Sequence, residues 1–382
     1  MNEPHVVVVG AGPVGLTAAL TLARRGVTVT VVEQGPDLAA ESRASTFHPP
    51  TLEMLHSLGV GDALLERGIV APTFQYRDRR GGEIATLDLA VLAEDTAFPY
   101  RVQCEQSRLT PILLDALPSE TDIRFRVRVR DVVQDGDEVL VRTDQGVLRA
   151  DWLIGADGAH SAVRKALGAE FAGTTYPERF LVASVDEELD AALPGIAPIN
   201  YVFDPDEWLV LLRTPQHWRV LLPTPAGTPD DDEIARLPER LNGVADLGRP
   251  WQIVHASLYR VHQRVTGQFR FDRVLLMGDA AHVNNPLGGL GMNSGIHDAV
   301  TMAAALADVL AGGPDDVLTE TARRRRTVAV EHVQRTSHDN WSRIRADRAD
   351  NAAEHERLRA LAADPEAARA YLRRACLIDS LS

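Results

Sequence analysis

The N-terminal stretch contains the feature that most restricts the fold, an apolar run followed at once by closely spaced glycines. The run His5–Val9 reads HVVVV, which is typical of a buried parallel strand. A G-x-G-x-x-G pattern follows at Gly10, Gly12 and Gly15, and Leu16–Arg25 then has helical spacing. In such a unit the glycines allow a tight turn, the approach of a pyrophosphate and close helix packing. The helix N-terminus adds unpaired N–H groups and a partial positive charge.

The pattern continues into a second strand that ends on an acid. Gly26 lies where the helix should end, Val27–Val32 reads as a strand, and Glu33 closes it. A carboxylate at this place accepts hydrogen bonds from a ribose. The alternative is a chance glycine cluster, which does not explain why strand, helix, strand and acid occur in order. The unit predicts a dinucleotide site, and by itself it does not separate NAD from FAD.

A second glycine-aspartate site follows another apolar strand. The stretch from Trp152 ends in Gly155-Ala156-Asp157-Gly158, and Ser161 then opens a helix that carries Arg164. Because Asp-Gly is common in turns, a strand, a turn and a capped helix are the simpler interpretation of this site taken alone.

A third site lies late in the chain. Arg273–Met277 reads as a strand that ends at Gly278-Asp279, and a glycine loop, Pro286–Gly291, leads into a helix over about residues 293–310. An acid at the carboxyl end of a strand lies where open α/β sheets bind ligands, and its carboxylate would hold a polyol chain. A glycine loop that enters a helix N-terminus favours negative charge on a ring placed against it.

Together the three sites resemble the FAD-dependent aromatic hydroxylases of the para-hydroxybenzoate hydroxylase type, the group A flavin monooxygenases. Two further stretches are similar to that family, around Arg43 and around Gln106. The resemblance implies that the first site and Glu33 hold the ADP half of FAD, with Val129 beside the adenine. It also implies that Asp279 binds the ribityl chain and that Asp157 serves both FAD and the nicotinamide. The cofactor residues expected from it are Gly10, Gly12, Pro13, Val14, Gly15, Glu33, Gln34, Arg43, Gln106, Val129, Asp157, Asp279, Pro286, Gly289, Gly291, Met292 and Asn293.

The chemistry implied by the resemblance is monooxygenation. NADPH or NADH reduces the flavin, dioxygen forms a C4a-hydroperoxide, and one oxygen atom enters an aromatic or polyketide-like small molecule. Pro286, Gly288 and Gly289 would face the flavin ring. Candidate substrate contacts are His48, Tyr201 and Arg213, although packing, or for Arg213 a surface carboxylate, explains each equally well. No residue is identified as the substrate base.

The composition agrees with a two-domain enzyme. A chain of 382 residues exceeds one ordinary core, and its formal charge of −14 disfavours nucleic acid or an anionic membrane as partner. No apolar run reaches the length of a membrane span, and two cysteines build neither a disulfide framework nor a metal site. We therefore expect a cytoplasmic enzyme without a metal, whose partners are an aromatic substrate and O2.

The expected fold class is α/β, with a Rossmann-like FAD-binding domain, a mixed or antiparallel-sheet substrate domain and C-terminal helices. The FAD-binding domain is expected from residues 1–70, 101–170 and 268–310, the substrate domain from 71–100 and 171–267, and the helical region from 311–382. Residues 207–214 and 217–224 alternate like paired antiparallel strands. The run Arg323–Arg326 is expected on a solvated helix face, because acidic residues follow it and the net charge of the chain is negative.

Other functions remain open at this point. A flavin-dependent halogenase is disfavoured, because those enzymes resemble one another in a Trp-x-Trp motif and no two tryptophans here lie two residues apart. A flavin oxidase, a prenyl-chain reductase and a non-catalytic FAD-binding scaffold are the alternatives. The pattern leaves undetermined the substrate, the choice between NADH and NADPH, hydroxylation against Baeyer–Villiger oxidation, and the oligomeric state.

Overall fold

The computed structural model describes residues 4–40, 44–345 and 348–381. The first strands are β1 His5–Val9, β2 Thr28–Glu33, β3 Thr46–Phe47, β4 Ile69–Ala71, β5 Thr73–Asp78, β6 Gly82–Asp88, β7 Arg101–Gln103, β8 Asp122–Phe125, β9 Val129–Asp135 and β10 Glu138–Thr143. The later strands are β11 Gly146–Ala150, β12 Trp152–Gly155, β13 Phe171–Val185, β14 Ile199–Phe203, β15 Leu209–Arg213, β16 Trp218–Pro225, β17 Ile253–Thr266, β18 Arg270–Phe271, β19 Val274–Leu276 and β20 His282–Val283.

The α-helices connect these strands and form the C-terminal part of the chain. They are α1 Pro13–Ala23, α2 Pro49–Ser57, α3 Gly61–Arg67, α4 Gln106–Asp115, α5 Ala162–Ala166, α6 Asp230–Ala235, α7 Leu237–Asn242, α8 Leu290–Leu310, α9 Asp315–Val328, α10 Arg335–Ile344, α11 Arg348–Ala363 and α12 Pro365–Ala375. A π-helical turn, Ala329–Gln334, joins α9 to α10. Among the described residues, no helix is long and apolar enough to cross a membrane.

A six-stranded sheet is built from the apolar runs that the sequence predicts. Its order is β18-β19-β12-β1-β2-β8, and β19, β12, β1, β2 and β8 are parallel. The valines of β1 are fully or almost fully buried, because helices cover both faces of such a sheet. The α/β fold class is therefore confirmed.

An eight-stranded, mostly antiparallel sheet forms the second layer, in the order β20-β17-β13-β16-β15-β14-β5-β6. The predicted hairpin is β15 and β16, with Arg213 opposite Trp218. The two faces of this sheet bury different clusters, one around Tyr201 and Leu221 and the other around Leu209 and Leu211. We call the face that carries Tyr201 the aromatic face.

The C-terminal helices fold back over the rest of the molecule. Arg369 of helix α12 donates a hydrogen bond from Nε to the Asp95 carboxylate at 2.7 Å, which anchors this helix. The prediction for Arg323–Arg326 is only half right. Arg323 is exposed and pairs with Glu320, but Arg325 is 3% exposed, because it forms a buried ion pair with a carboxylate of α8.

Candidate active site

The three glycine signatures meet at one edge of the six-stranded sheet. Strands β1, β12 and β19 are neighbours, with Val9 opposite Gly155 and Gly155 opposite Leu276. A Cβ added at Gly10 would lie 2.5 Å from the backbone oxygen of Ala156, so the first two turns are in contact. The carboxyl ends of parallel strands are where open α/β sheets bind ligands, and here three of them adjoin.

The first turn is shaped as a phosphate site. Gly10 has a φ of 108°, and a Cβ at Gly15 would lie 1.9 Å from the Gly10 carbonyl oxygen. At Gly12 a Cβ would meet no atom of the described chain within 4 Å, so this backbone borders open space. Helix α1 begins at Pro13 with no side-chain cap among the described residues, which leaves its N–H groups for an anion. Val14 contacts the third turn, since a Cβ at Gly278 would lie 2.8 Å from its Cγ2.

Glu33 closes the opposite side of this turn. Its Oε2 accepts a bond from Ala11 N at 2.9 Å, and its Oε1 accepts one from Gly35 N at 2.7 Å. Gln34 next to it is exposed, and β9 starts nearby at Val129. The resemblance assigns these residues to the adenosine, and this assignment stays a prediction. Arg43 lies outside the described residues.

Asp157 caps a helix. Its carboxylate accepts bonds from Ser161 Oγ at 2.5 Å and from Ala162 N at 2.6 Å. Burial raises the pKa of this carboxyl, and those hydrogen bonds oppose the rise. Arg164 then joins the second signature to the third, because its Nη1 donates to the Ala280 carbonyl oxygen at 3.1 Å. The structure thus shows the capped helix that the simpler interpretation predicted; a contact of Asp157 with cofactors stays a prediction.

The third turn carries a carboxylate, and the glycine loop that follows it carries a sharply bent backbone. Asp279 is exposed just after β19. Gly289 N bonds the Pro286 carbonyl oxygen at 2.9 Å, and Gly288 and Gly289 have φ angles of 108° and 68°. Both angles lie in the left-handed region that favours glycine, so these two glycines allow the bend. Helix α8 begins at Leu290, three residues earlier than predicted.

Asn293 ties this loop to a distant part of the chain. Its Nδ2 donates to the carbonyl oxygens of Gly289 at 2.6 Å and Thr46 at 2.8 Å, and its Oδ1 accepts from His48 N at 2.9 Å. Gly291 and Met292 form the turn of α8 before it. Asn293 therefore positions the loop from inside the protein rather than from its surface.

His48 contacts the loop directly. Its Nε2 donates to the Gly288 carbonyl oxygen at 2.9 Å, which places the proton on Nε2. Its Nδ1 is buried without a hydrogen-bond partner in the described part of the chain. Burial, and then the neighbouring charge of Arg101, lower the pKa of His48 well below its ordinary value. The imidazole is neutral and holds the loop.

A buried network of charged side chains connects the third turn to helices α8 and α9. Asp298 accepts bonds from Arg325 Nε at 2.7 Å, His282 Nε2 at 2.8 Å and Gly278 N at 3.1 Å. The side chains of Asp298, Arg325 and His282 are buried. Burial by itself raises the pKa of Asp298, but the charge of Arg325 and the hydrogen bonds from Arg325 and His282 together outweigh burial and hold that pKa low. The sequence did not single out Asp298, and it predicted a solvated position for Arg325.

The aromatic face of the eight-stranded sheet lies against the glycine loop. Leu287 packs in the same cluster as Tyr201, Phe74, Tyr76 and the C-terminal Tyr371. The ring centroids of Tyr76 and Tyr201 are 5.6 Å apart, and Tyr76 Oη lies 2.7 Å from Tyr371 Oη. The loop and the tyrosines thus enclose one aromatic region.

Arg213 lies elsewhere. It is on the opposite face of the sheet from Tyr201 and pairs with Glu188 at 3.1 Å. The structure therefore supports the interpretation that Arg213 pairs with a surface carboxylate. We no longer assign Arg213 to the substrate site. The sequence could not settle this, because the face on which a strand residue lies depends on the register of the whole sheet.

A cleft opens between the two large sheets. Helix α4 begins at Gln106, and its neighbours Glu105 and Arg108 line one wall. Arg219 and Tyr259 of the eight-stranded sheet line the other wall, around a cavity of about 450 Å³. The sequence did not point to these wall residues.

Comparisons with known proteins agree with this geometry. A family model described as "FAD binding domain" matches residues 3–337. The chain is 36% identical over 350 residues to para-nitrophenol 4-monooxygenase of Pseudomonas sp. strain WBC-3, covering 88% of this chain and 86% of the relative. It is 33% identical over 349 residues to 6-hydroxy-3-succinoylpyridine 3-monooxygenase of Pseudomonas putida, covering 88% of each. The crystal structure of p-nitrophenol 4-monooxygenase from Pseudomonas putida DLL-E4 aligns with a TM-score of 0.92 at 34% identity, over 99% of this chain and 98% of that one.

Proposed function

Because the chain belongs to the FAD-dependent aromatic hydroxylases, we propose that it consumes NADH or NADPH to insert one atom of O2 into a single-ring phenol. The observation that carries the proposal is the junction of the phosphate turn, the Asp279 turn and the glycine loop. The first two of these pieces lie at one edge of a sheet. Helix α8, which the glycine loop enters, contacts both, since a Cβ at Gly295 would lie 2.7 Å from Val14 Cγ2 and 3.1 Å from Gly278 Cα, and the loop is packed against aromatic side chains. A scaffold that only held a nucleotide would need the first turn alone.

The residues present fit FAD. Open space beside Gly12 and the uncapped start of α1 suit a pyrophosphate. Glu33 would hold the adenosine ribose, Asp279 the ribityl hydroxyls, and the backbone of the Pro286–Asn293 segment the ring. When bound, FAD accepts a hydride from the nicotinamide and activates dioxygen for transfer to the substrate.

The chain's own residues supply the order and dryness that such a transfer needs. Asn293 and His48 hold the loop against which the ring would lie. Tyr76, Tyr201 and Leu287 are each less than a tenth exposed and exclude water from the aromatic region. The two relatives are named for a nitrophenol and a hydroxypyridine, both small hydroxylated rings. A single ring is therefore the substrate class that we propose.

The test is oxygen incorporation by the FAD-loaded protein. NADH and NADPH are supplied separately with a panel of phenols under ¹⁸O2, and oxygen uptake and product mass are recorded. We expect uptake that depends on the phenol, and a product that carries one labelled oxygen. Hydrogen peroxide without a labelled product would indicate an oxidase, and tight FAD binding without nicotinamide oxidation would indicate a scaffold; either result contradicts the proposal.

A further inference from the structure

Arg101 is a buried cation whose partners do not neutralise it. It is 2% exposed, and its guanidinium lies 4.5 Å from the centre of the Phe74 ring. Its Nη2 donates to Cys376 Sγ at 3.6 Å, and its Nε has no hydrogen-bond acceptor among the described residues. No carboxylate in the described ranges forms an ion pair with it. A buried charge is costly unless it is paired and hydrogen-bonded, so this site lacks an anion.

Other buried arginines of the chain are satisfied by oxygen acceptors. Arg325 has the Asp298 carboxylate, and Arg164 has two backbone carbonyl oxygens. Arg343, which is half-buried and contacts Tyr76 and Tyr371, pairs with Glu354 at 3.0 Å. The contrast shows that Arg101, whose partners are a thiol, the Tyr201 hydroxyl and an aromatic ring, lacks the carboxylate or carbonyl acceptors of those arginines.

Arg101 also lies close to the glycine loop. Strands β3 and β7 are antiparallel with Phe47 opposite Val102, so the pairing continues to place Arg101 across from His48. His48 in turn contacts the carbonyl oxygen of Gly288 in the glycine loop. On its other side the guanidinium is close enough to Tyr201 to oppose the rise that burial causes in the pKa of that phenol.

We propose that Arg101 is the anion receptor of the substrate site and that it binds the phenolate oxygen of a single-ring aromatic. The inference rests on the proposed function and deepens it, because it specifies the ionised form of the phenol as the species bound. Arginine donors in a dry site form charge-assisted hydrogen bonds, which favour the ionised ligand over the neutral one. The phenol ionises before it enters the site, and its proton stays with the solvent.

The groups that face Arg101 agree with this assignment. They are His48 from the β3 side, Tyr201 from the eight-stranded sheet, and Tyr371 and Cys376 from the C-terminal helix and the turn after it. None of the four is a carboxylate that would repel an anion. His48 is kept neutral and its proton is bonded to Gly288, so it adds no competing charge. An ionised phenol is also the form most reactive toward an electrophilic oxygen, because its ring is richer in electrons.

The experiment measures the ionisation of a bound phenol. The oxidised FAD-loaded protein is titrated with 4-nitrophenol, whose phenolate is yellow and whose neutral form is colourless, and difference spectra are recorded over a range of pH. The variants are Arg101→Met, which removes the charge at similar volume, and Arg101→Lys, which keeps the charge. Arg213→Met is the matched control, since that arginine lies on the opposite face and pairs with Glu188. 4-Nitroanisole, which cannot ionise, serves as the control ligand.

We expect the wild type to bind the yellow form at a pH where the free phenol is largely neutral. Arg101→Met should weaken nitrophenolate binding on the order of 100-fold and leave binding of 4-nitroanisole unchanged. Arg101→Lys should retain the phenolate spectrum, and Arg213→Met should match the wild type.

Two results would overturn the assignment of Arg101. One is a wild-type bound ligand that ionises at the same pH as the free phenol, a test that needs no variant to fold. The other is an Arg101→Met protein that binds nitrophenolate as tightly as the wild type. If either occurs while the wild type still oxygenates phenols, only the anion receptor fails. If Arg101 controls phenolate binding but no phenol is oxygenated, the proposed function fails and the binding site stands.

Discussion

Replacing Gly12 by alanine separates a folding role of the first turn from a binding role. Gly12 has a φ of −78°, which any residue adopts, and a Cβ there would meet no atom of the described chain within 4 Å. The added methyl group therefore fits the cofactor-free protein. It occupies the space in which a pyrophosphate must approach the N–H groups of α1.

The size of the effect follows from the bonds that would be lost. Hydrogen bonds from N–H groups to a charged phosphate contribute about 1.5–3 kcal/mol each. If the methyl group displaces the pyrophosphate from two donors, the loss is at least about 3 kcal/mol, which raises the Kd for FAD about 100-fold or more. The free energy of unfolding of the cofactor-free protein should change by no more than about 1 kcal/mol.

The assay combines titration of the cofactor-free protein with FAD and urea denaturation of the same sample. Gly227→Ala is the matched control, because that glycine also borders open space and lies far along the chain in an exposed turn. It should change neither quantity beyond about 1 kcal/mol. Gly15→Ala should behave oppositely to Gly12→Ala. Its Cβ would lie 1.9 Å from a backbone oxygen, so we expect about 2–4 kcal/mol of lost folding stability before any FAD is added.

A Gly12→Ala protein that binds FAD as tightly as the wild type would refute the reasoning. So would a loss of folding stability as large as the loss of binding energy, because the turn would then be structural rather than a cofactor site.

Three further predictions concern buried side chains of helices α8 and α9. Arg325→Met leaves the Asp298 carboxylate without its buried cation, so the free energy of unfolding should fall by about 3 kcal/mol in urea titrations; an unchanged value would show that the pair is not needed. Burial lowers the pKa of His297 from its ordinary value of 6.5 to about 3. As the pH falls, His297 therefore takes up a proton in the unfolded protein before it does so in the folded protein. Stability should decrease by up to about 1.4 kcal/mol per pH unit between those values, and His297→Gln should reduce that slope in denaturation at pH 7 and pH 5; an equal slope would contradict the assignment. Asn293→Ala removes three buried hydrogen bonds and should cost about 3 kcal/mol and weaken FAD binding in the same titration, whereas a variant with normal FAD affinity would show that the loop holds its shape unaided.

The sequence predicted the parts of the fold that depend on local patterns. The βαβ unit up to Glu33 follows from an apolar run, a glycine spacing and a helix end that lie within one short stretch. The hairpin of β15 and β16 follows from alternation on both sides of a turn. The predicted start of α8 was three residues too late. The helix begins directly after Gly289, and the left-handed conformation of that glycine is not visible in the apolar pattern.

The parts that could not be predicted depend on partners far apart in the chain. Arg101 has no sequence signal of its own, and its significance appears only when Cys376 and Tyr201 are seen beside it. Arg325 belongs to an arginine run that looks solvated, yet its position on α9 turns it toward Asp298 of α8. Burial of a polar residue is decided by which elements pack together, and a single sequence does not state that.

A crystal structure of the protein grown with FAD tests the cofactor site most directly. We expect a pyrophosphate beside Gly12, the ribityl chain at Asp279, and the ring along Pro286–Gly289 with one side toward Tyr201. A flavin whose ring lies away from that loop, or a pyrophosphate bound elsewhere than at the start of α1, would contradict this expectation.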